Sequence, residues 1–119
     1  MADGVRAQAS GVRAEALAEQ ALLAEGWRIL GRRVRTPCGE LDLVAEAAGL
    51  LAFIEVKHRA SLGEAASALG RRQRLRLLAA AEFWLAANPG QGAAGIRFDV
   101  MLVDGAGLVR RIADAFRAE

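Results

Sequence analysis

Asp42, Glu55 and Lys57 have the types and spacing for metal-assisted hydrolysis. The last two close the apolar run Leu51-Ala52-Phe53-Ile54-Glu55-Val56-Lys57. The run is short and rich in β-branched and aromatic residues, which predicts a buried strand. Side chains alternate faces along a strand, so Phe53, Glu55 and Lys57 share one face and Ile54 and Val56 the other. Charges at the end of such a strand are tolerated when paired, hydrogen-bonded or bound to a metal. Glu40-Leu41-Asp42-Leu43-Val44-Ala45 reads as a second strand, with Leu41 and Leu43 to one side and Glu40, Asp42 and Val44 to the other. Ala47-Ala48-Gly49 is a tight connection, so the strands pair as a hairpin and bring Asp42 beside Glu55. Two carboxylates on neighbouring strands can share one Mg²⁺ (or Mn²⁺), with the Val56 carbonyl as a further oxygen. A bound ion would acidify a coordinated water and offset charge growing on a phosphoryl group. The Lys57 ammonium would orient that water or neutralise the transition state. This is equipment for phosphodiester hydrolysis without a covalent intermediate.

Lys57 is the only lysine among sixteen basic side chains; the rest are arginine. Arg is a fixed planar fork, whereas Lys is a compact charge whose pKa moves readily. The lone lysine reads either as chance or as a position that arginine would not serve. His58 is the only histidine, so no Ser/His/Asp set competes, and it reads as a strand-end surface residue rather than a base. There is no Gly-rich phosphate loop, zinc spacing or nucleotide fingerprint.

The elements that must position these groups follow from periodicity. Residues 1–10 are small and polar and are expected to be disordered. Val12, Ala16, Leu17, Leu22 and Leu23 recur at helical spacings up to Glu25, and Gly26 is a stop. Glu15 lies on the inward stripe of that helix, as a salt-bridged carboxylate or as a site residue delivered by the helix. Trp27 to Arg35 reads as a strand with a break or bulge at Gly31, and Thr36-Pro37-Cys38-Gly39 as a turn. Ser61-Leu62-Gly63-Glu64 has capping-box spacing before a long helix that ends near Ala87. Gly70 moves the firm start of that helix towards Arg71. Leu77, Leu78, Ala81, Trp84 and Leu85 form its apolar face. Ile96 to Val103 is a strand, with Asp99 expected to pair with an arginine. Leu108 to Ile112 is a last short strand, and Ala113 to Glu119 a helical turn or tail. The order is helix, three strands, helix, two strands, which predicts a mixed sheet with helices on its faces.

The chain has 119 residues, 54% of them hydrophobic, enough for one domain over residues 1–119. Net charge is only +2, but the arginines cluster at 28, 32, 33 and 35 and at 71, 72, 74 and 76. Such clusters suit phosphate backbones, or are two solvated faces. Cys38 is the only cysteine, which excludes an intramolecular disulfide and fits a reducing cytoplasm. No apolar run approaches a membrane span and Met1 to Gln8 lacks the apolar stretch of a secretory signal, so the chain is expected to be soluble and intracellular.

Gly39-Glu40-Leu41-Asp42-Leu43-Val44, then Phe53-Ile54-Glu55-Val56-Lys57-His58-Arg59, resembles the signature of the bacterial YraN family. That family is related to archaeal Holliday junction resolvases within the PD-(D/E)xK, restriction-endonuclease-like superfamily. The resemblance covers nearly the whole chain: Gly11 to Ala16, Arg72-Gln73, Arg97-Phe98-Asp99-Val100 and Ala113 to Phe116 match further family positions. It implies a restriction-endonuclease-like α/β fold, a mixed sheet of about five strands flanked by helices. It implies that Asp42, Glu55, Glu15 and the Val56 carbonyl hold metal. Lys57 would activate water or stabilise the scissile phosphate, and Gln73 would touch metal-bound water or phosphate. Glu40 would be accessory. Arg32, Arg33, Arg35, Arg59, Arg71, Arg72 and Arg74 would bind nucleic acid. Arg72 stands where the family has lysine, His58 where small polar residues are common, and Leu41 where the superfamily has proline; none of these removes a catalytic group. The expectation is a Mg²⁺-dependent, structure-selective DNA endonuclease of the cytoplasm. Its rival is a non-catalytic nucleic-acid-binding module of the same fold acting with DNA repair or recombination partners. A weaker third is an interaction protein whose acids are ordinary ion pairs. Resolvase relatives act as symmetric dimers, so a homodimer is a further expectation.

Overall fold

The computed structural model describes residues 2–59 and 70–116, with side chains from Arg13 onward. The elements are α1 (Ala2–Ala24), β1 (Arg28–Thr36), β2 (Gly39–Ala47), β3 (Leu50–His58), α2 (Arg71–Ala87), β4 (Gly95–Val103) and β5 (Val109–Phe116). The five strands form one sheet in the order β1-β2-β3-β4-β5. β3 and β4 pair in parallel and the other neighbours antiparallel, so the sheet is mixed. Parallel pairing requires a crossover, and α2 supplies it. This is the α/β architecture expected of a restriction-endonuclease-like fold, in the element order read from the sequence. The capping box at Ser61–Glu64 lies outside the described residues. Among the described residues no helix is long and apolar enough to cross a membrane.

Each helix covers one face of the sheet. Alternation along β3 sends Leu51 and Phe53 towards Leu77, Ala80 and Ala81 of α2, and Ala52 and Ile54 towards Ala18 and Leu22 of α1. Phe53, Phe98 and Phe116 stack across three strands of the α2 face, with ring centroids 5.5 and 4.8 Å apart. The buried row of α1 is Ala14, Ala18 and Leu22, while Ala16 and Leu23 are exposed, contrary to the stripe inferred from periodicity. Small alanines at i and i+4 let the helix lie close to the sheet, which decides the buried face over side-chain size. The tight turn at Ala48 (φ 50°) and Gly49 (φ 81°) matches the hairpin expectation. The β1–β2 ladder shifts register between Ile29 and Gly31, where a bulge was expected. Trp84 explains the glycine: a Cβ at Gly31 would meet Val34 Cγ2 at 2.7 Å and the Trp84 ring at 3.1 Å.

Two further local expectations fail. Residues 113–116 are strand, not helical turn: β5 continues past a bulge at Asp114 (φ 54°) to pair Phe116 with Phe98. The buried Asp99 takes the Asp114 N–H at 2.9 Å and the Arg97 guanidinium at 2.8 Å through both carboxylate oxygens. Asp99 is therefore the structural acid it was expected to be, and the carboxylate fills the gap the bulge leaves. Secondly, Leu41 and Leu43 do not share a side. Leu41 packs with Val44 in the α2 cluster and Leu43 in the α1 cluster. Positions three apart cannot share a face of a regular strand, so side-chain alternation breaks at Asp42.

Candidate active site

That break opens the site. The β2–β3 ladder runs from Ala47↔Leu50 to Leu43↔Ile54 and stops, although β2 reaches back to Gly39 and β3 on to His58. β3 stays paired with β4 as far as His58↔Val103, so the parting is confined to the β2 side. Asp42 stands in the gap and accepts the Val56 N–H at Oδ2, 2.8 Å away. A side chain thus satisfies a donor that the missing ladder would have taken. In an antiparallel pair, the N–H and C=O of one residue leave the strand on the same edge, so the Val56 carbonyl faces the same gap.

Glu55 is buried and faces α2. Its Oε1 accepts from Gln73 Nε2 at 2.7 Å, and Lys57 Nζ lies 3.3 Å from the same oxygen. Gln73 sits in the first turn of α2, so the crossover helix clamps the β3 acid. The Lys57 side chain is only 14% exposed, a low value for lysine. Burial, first, and the Glu55 carboxylate, second, push the Asp42 carboxyl up to about 7. The Val56 N–H pulls the other way, and Glu15 adds a smaller push. Two carboxyls crowded in a low-dielectric notch favour a proton or a cation between them.

The residues present fit magnesium. Among the described residues no three His, Cys, Asp or Glu side chains converge as a ready cage. Mg²⁺ does not ask for one: it is held through one or two carboxylates, with water and phosphate completing its shell. The set lacks the nitrogen and sulfur ligands of structural zinc. The cleft has a volume of about 190 Å³ and is lined by Glu40, Asp42, Glu55, Gln73 and Arg76, among others. Arg76 belongs to a basic cluster seen in the sequence, but its place at the cleft was missed; the signal was its i+3 spacing from Gln73 on one helix.

Glu15 is brought near the site and is already engaged. Arg33 Nε donates to Glu15 Oε2 at 2.7 Å, from a left-handed backbone (φ 46°) between the pairs Arg32↔Leu43 and Val34↔Leu41. Arg32 is held likewise, its Nε donating to Glu19 at 2.6 Å, and Arg28 lies 3.3 Å from Glu46. The first arginine cluster is thus largely neutralised by acids of α1 and β2. Arg35, Arg71, Arg72, Arg74 and Arg76 have no acid partner among the described residues. Arg59 donates to the His58 carbonyl at 2.8 Å. His58 borders a separate small hollow with Arg13, Leu17 and the Asp104–Gly107 turn, away from the two carboxylates.

Comparison with known proteins places this chain in a family. The Uncharacterised protein family UPF0102 matches residues 14–103, from α1 to the end of β4. A UPF0102 protein of Granulibacter bethesdensis is 59% identical over 116 residues, covering 98% of this chain and 73% of the relative. One from Rhodopseudomonas palustris (strain HaA2) is 48% identical over 116 residues, covering 98% and 91%. One from Bradyrhizobium sp. (strain ORS 278) is 48% identical over 114 residues, covering 96% and 81%.

Proposed function

The chain belongs to the UPF0102 family, the group its YraN resemblance pointed to, and from that premise we propose that it is a Mg²⁺-dependent, structure-selective DNA endonuclease. The proposal includes kinship with archaeal Holliday junction resolvases in the restriction-endonuclease-like superfamily. The observation that carries it is the meeting of Asp42, Glu55, Lys57 and Gln73 where β2 and β3 part.

Asp42 and Glu55 would hold the ion, with the Val56 carbonyl on the same edge and Glu15 behind. An ion held there would supply Lewis-acid charge to the phosphoryl oxygens and would acidify a water. Gln73 keeps Glu55 pointed into the cleft by its 2.7 Å bond. The Lys57 ammonium is held beside Glu55 and shielded from bulk water, so its charge acts on the scissile phosphate at low dielectric. Glu40 and Arg76 line the approach, the second as a phosphate contact. Arg71, Arg72 and Arg74, which have no acid partner among the described residues, would follow the DNA strand's backbone.

The test is cleavage of labelled duplex, single-stranded, flap and four-way DNA with Mg²⁺ or Mn²⁺, beside Asp42→Asn and Lys57→Ala. Cleavage lost in both variants supports the proposal; cleavage by Asp42→Asn at the wild-type rate would place the site elsewhere. Sedimentation on four-way DNA tests the symmetric dimer of the resolvase reading, and a stable monomer counts against it. A second reading, a non-catalytic nucleic-acid-binding module, draws on two observations: Arg33 already occupies Glu15, and among the described residues no three metal-ligating side chains converge. Binding without cleavage across the panel selects it.

A further inference from the structure

We propose that the hollow between the β1–β2 turn and the outer side of α2 is a subsite for an unpaired nucleotide, so that the protein prefers single-stranded or flapped DNA to perfect duplex. This deepens the nucleic-acid reading above and rests on it. The hollow has a volume of about 550 Å³ and is lined by Cys38, Arg71, Arg72, Leu75, Arg76 and Ala79. Arg76 also lines the carboxylate cleft, so the two hollows adjoin across one side chain. A strand with one phosphate in the cleft therefore carries its next nucleotide over the hollow.

The chemistry of the lining selects the occupant. Arg71, Arg72 and Arg76 have no acid partner among the described residues, and their charge complements a phosphate backbone. Between them the surface is apolar: Leu75 is 53% exposed, with Ala79 and Cys38 beside it. Phosphate gains nothing from such a surface. The face of a base freed from its stack does, and guanidinium planes stack on bases as well. Duplex DNA keeps its base faces inside and cannot fill the hollow. The opposite wall is preformed: Thr36 Oγ1 donates to the Gly39 carbonyl at 2.6 Å and accepts the Cys38 and Gly39 N–H groups at 3.2 and 3.1 Å. A wall already ordered costs little to bind against.

Binding is measured on the full chain in chelator, where no cleavage occurs, with single-stranded, flap and blunt duplex oligonucleotides. Cys38 is the only cysteine and is exposed, so its alkylation rate reports on the hollow. At saturation, single-stranded DNA should slow alkylation about fivefold or more, and duplex should leave it nearly unchanged. Leu75→Asp, at an exposed position, should weaken single-strand and flap binding about tenfold and duplex binding less than twofold. Arg71→Ala should weaken all three and flatten the salt dependence. Equal loss on every substrate from Leu75→Asp, or no protection of Cys38, overturns the subsite. So does a wild-type dimer that Leu75→Asp makes monomeric, since the face then joins two copies of the chain. Failure of the nuclease reading is seen separately, as unpaired-strand binding in chelator with no cleavage in Mg²⁺ or Mn²⁺.

Discussion

Replacing Asp42 with asparagine should make the metal-free protein more stable, and the gain should grow with pH. Burial and the neighbouring Glu55 carboxylate raise the Asp42 carboxyl from 3.8 to about 7. Between those values the folded state holds a proton that the unfolded state has released. Wild-type stability therefore falls as pH rises through this window and levels off above it. The separation of roughly three units, at about 1.4 kcal/mol each, sets the cost of the ionised carboxylate at about 4 kcal/mol. Asparagine keeps an oxygen for the Val56 N–H, which Asp42 now holds at 2.8 Å, and carries no charge. The gain should be about 2 kcal/mol at pH 5 and about 4 kcal/mol at pH 8.5. With a urea slope of about 2 kcal/mol/M, the midpoint at pH 8.5 should rise by about 2 M. The assay is urea unfolding followed by circular dichroism, in chelator, for both proteins at both pH values. A gain that does not grow between them, or a variant less stable than wild type at pH 8.5, would refute the reasoning.

The same linkage predicts that Mg²⁺ stabilises the wild type, by about 1.4 kcal/mol at ten times its Kd, and leaves Asp42→Asn unmoved; thermal unfolding with and without the ion checks this. Gln73→Ala removes the 2.7 Å bond that aims Glu55, so Mg²⁺ affinity should drop about tenfold or more in a titration while the fold persists. Gly31→Ala forces a Cβ to within 2.7 Å of Val34 Cγ2 and against Trp84, and should cost about 1–3 kcal/mol in urea unfolding. A Gly31→Ala protein as stable as wild type would mean that β1 does not need the close approach of Trp84.

The sequence by itself determined the element order and the placement of the central pair of acids. Period-two alternation ending in Glu55 and Lys57, and a hairpin at Ala48-Gly49, put Asp42 beside Glu55, because both signals are local to a few residues. Alternation also put Phe53 and Ile54 on opposite faces, and the two core clusters bear this out, with Phe53 facing α2 and Ile54 facing α1. Only the tertiary structure decided the rest. Whether β2 and β3 stay zipped past Leu43↔Ile54 depends on the Asp42 carboxylate displacing a ladder partner, which no periodicity encodes. The end of β5 escaped because its pairing with Phe98 passes through a bulge held by Asp99, fifteen residues from Asp114 along the chain. The two arginine clusters look alike as strings. One is largely neutralised because Glu15 and Glu19 of α1 come over β1, and the other has no acid partner among the described residues. Ion pairing is settled by distance across the fold, and distance across the fold is what a linear sequence does not carry.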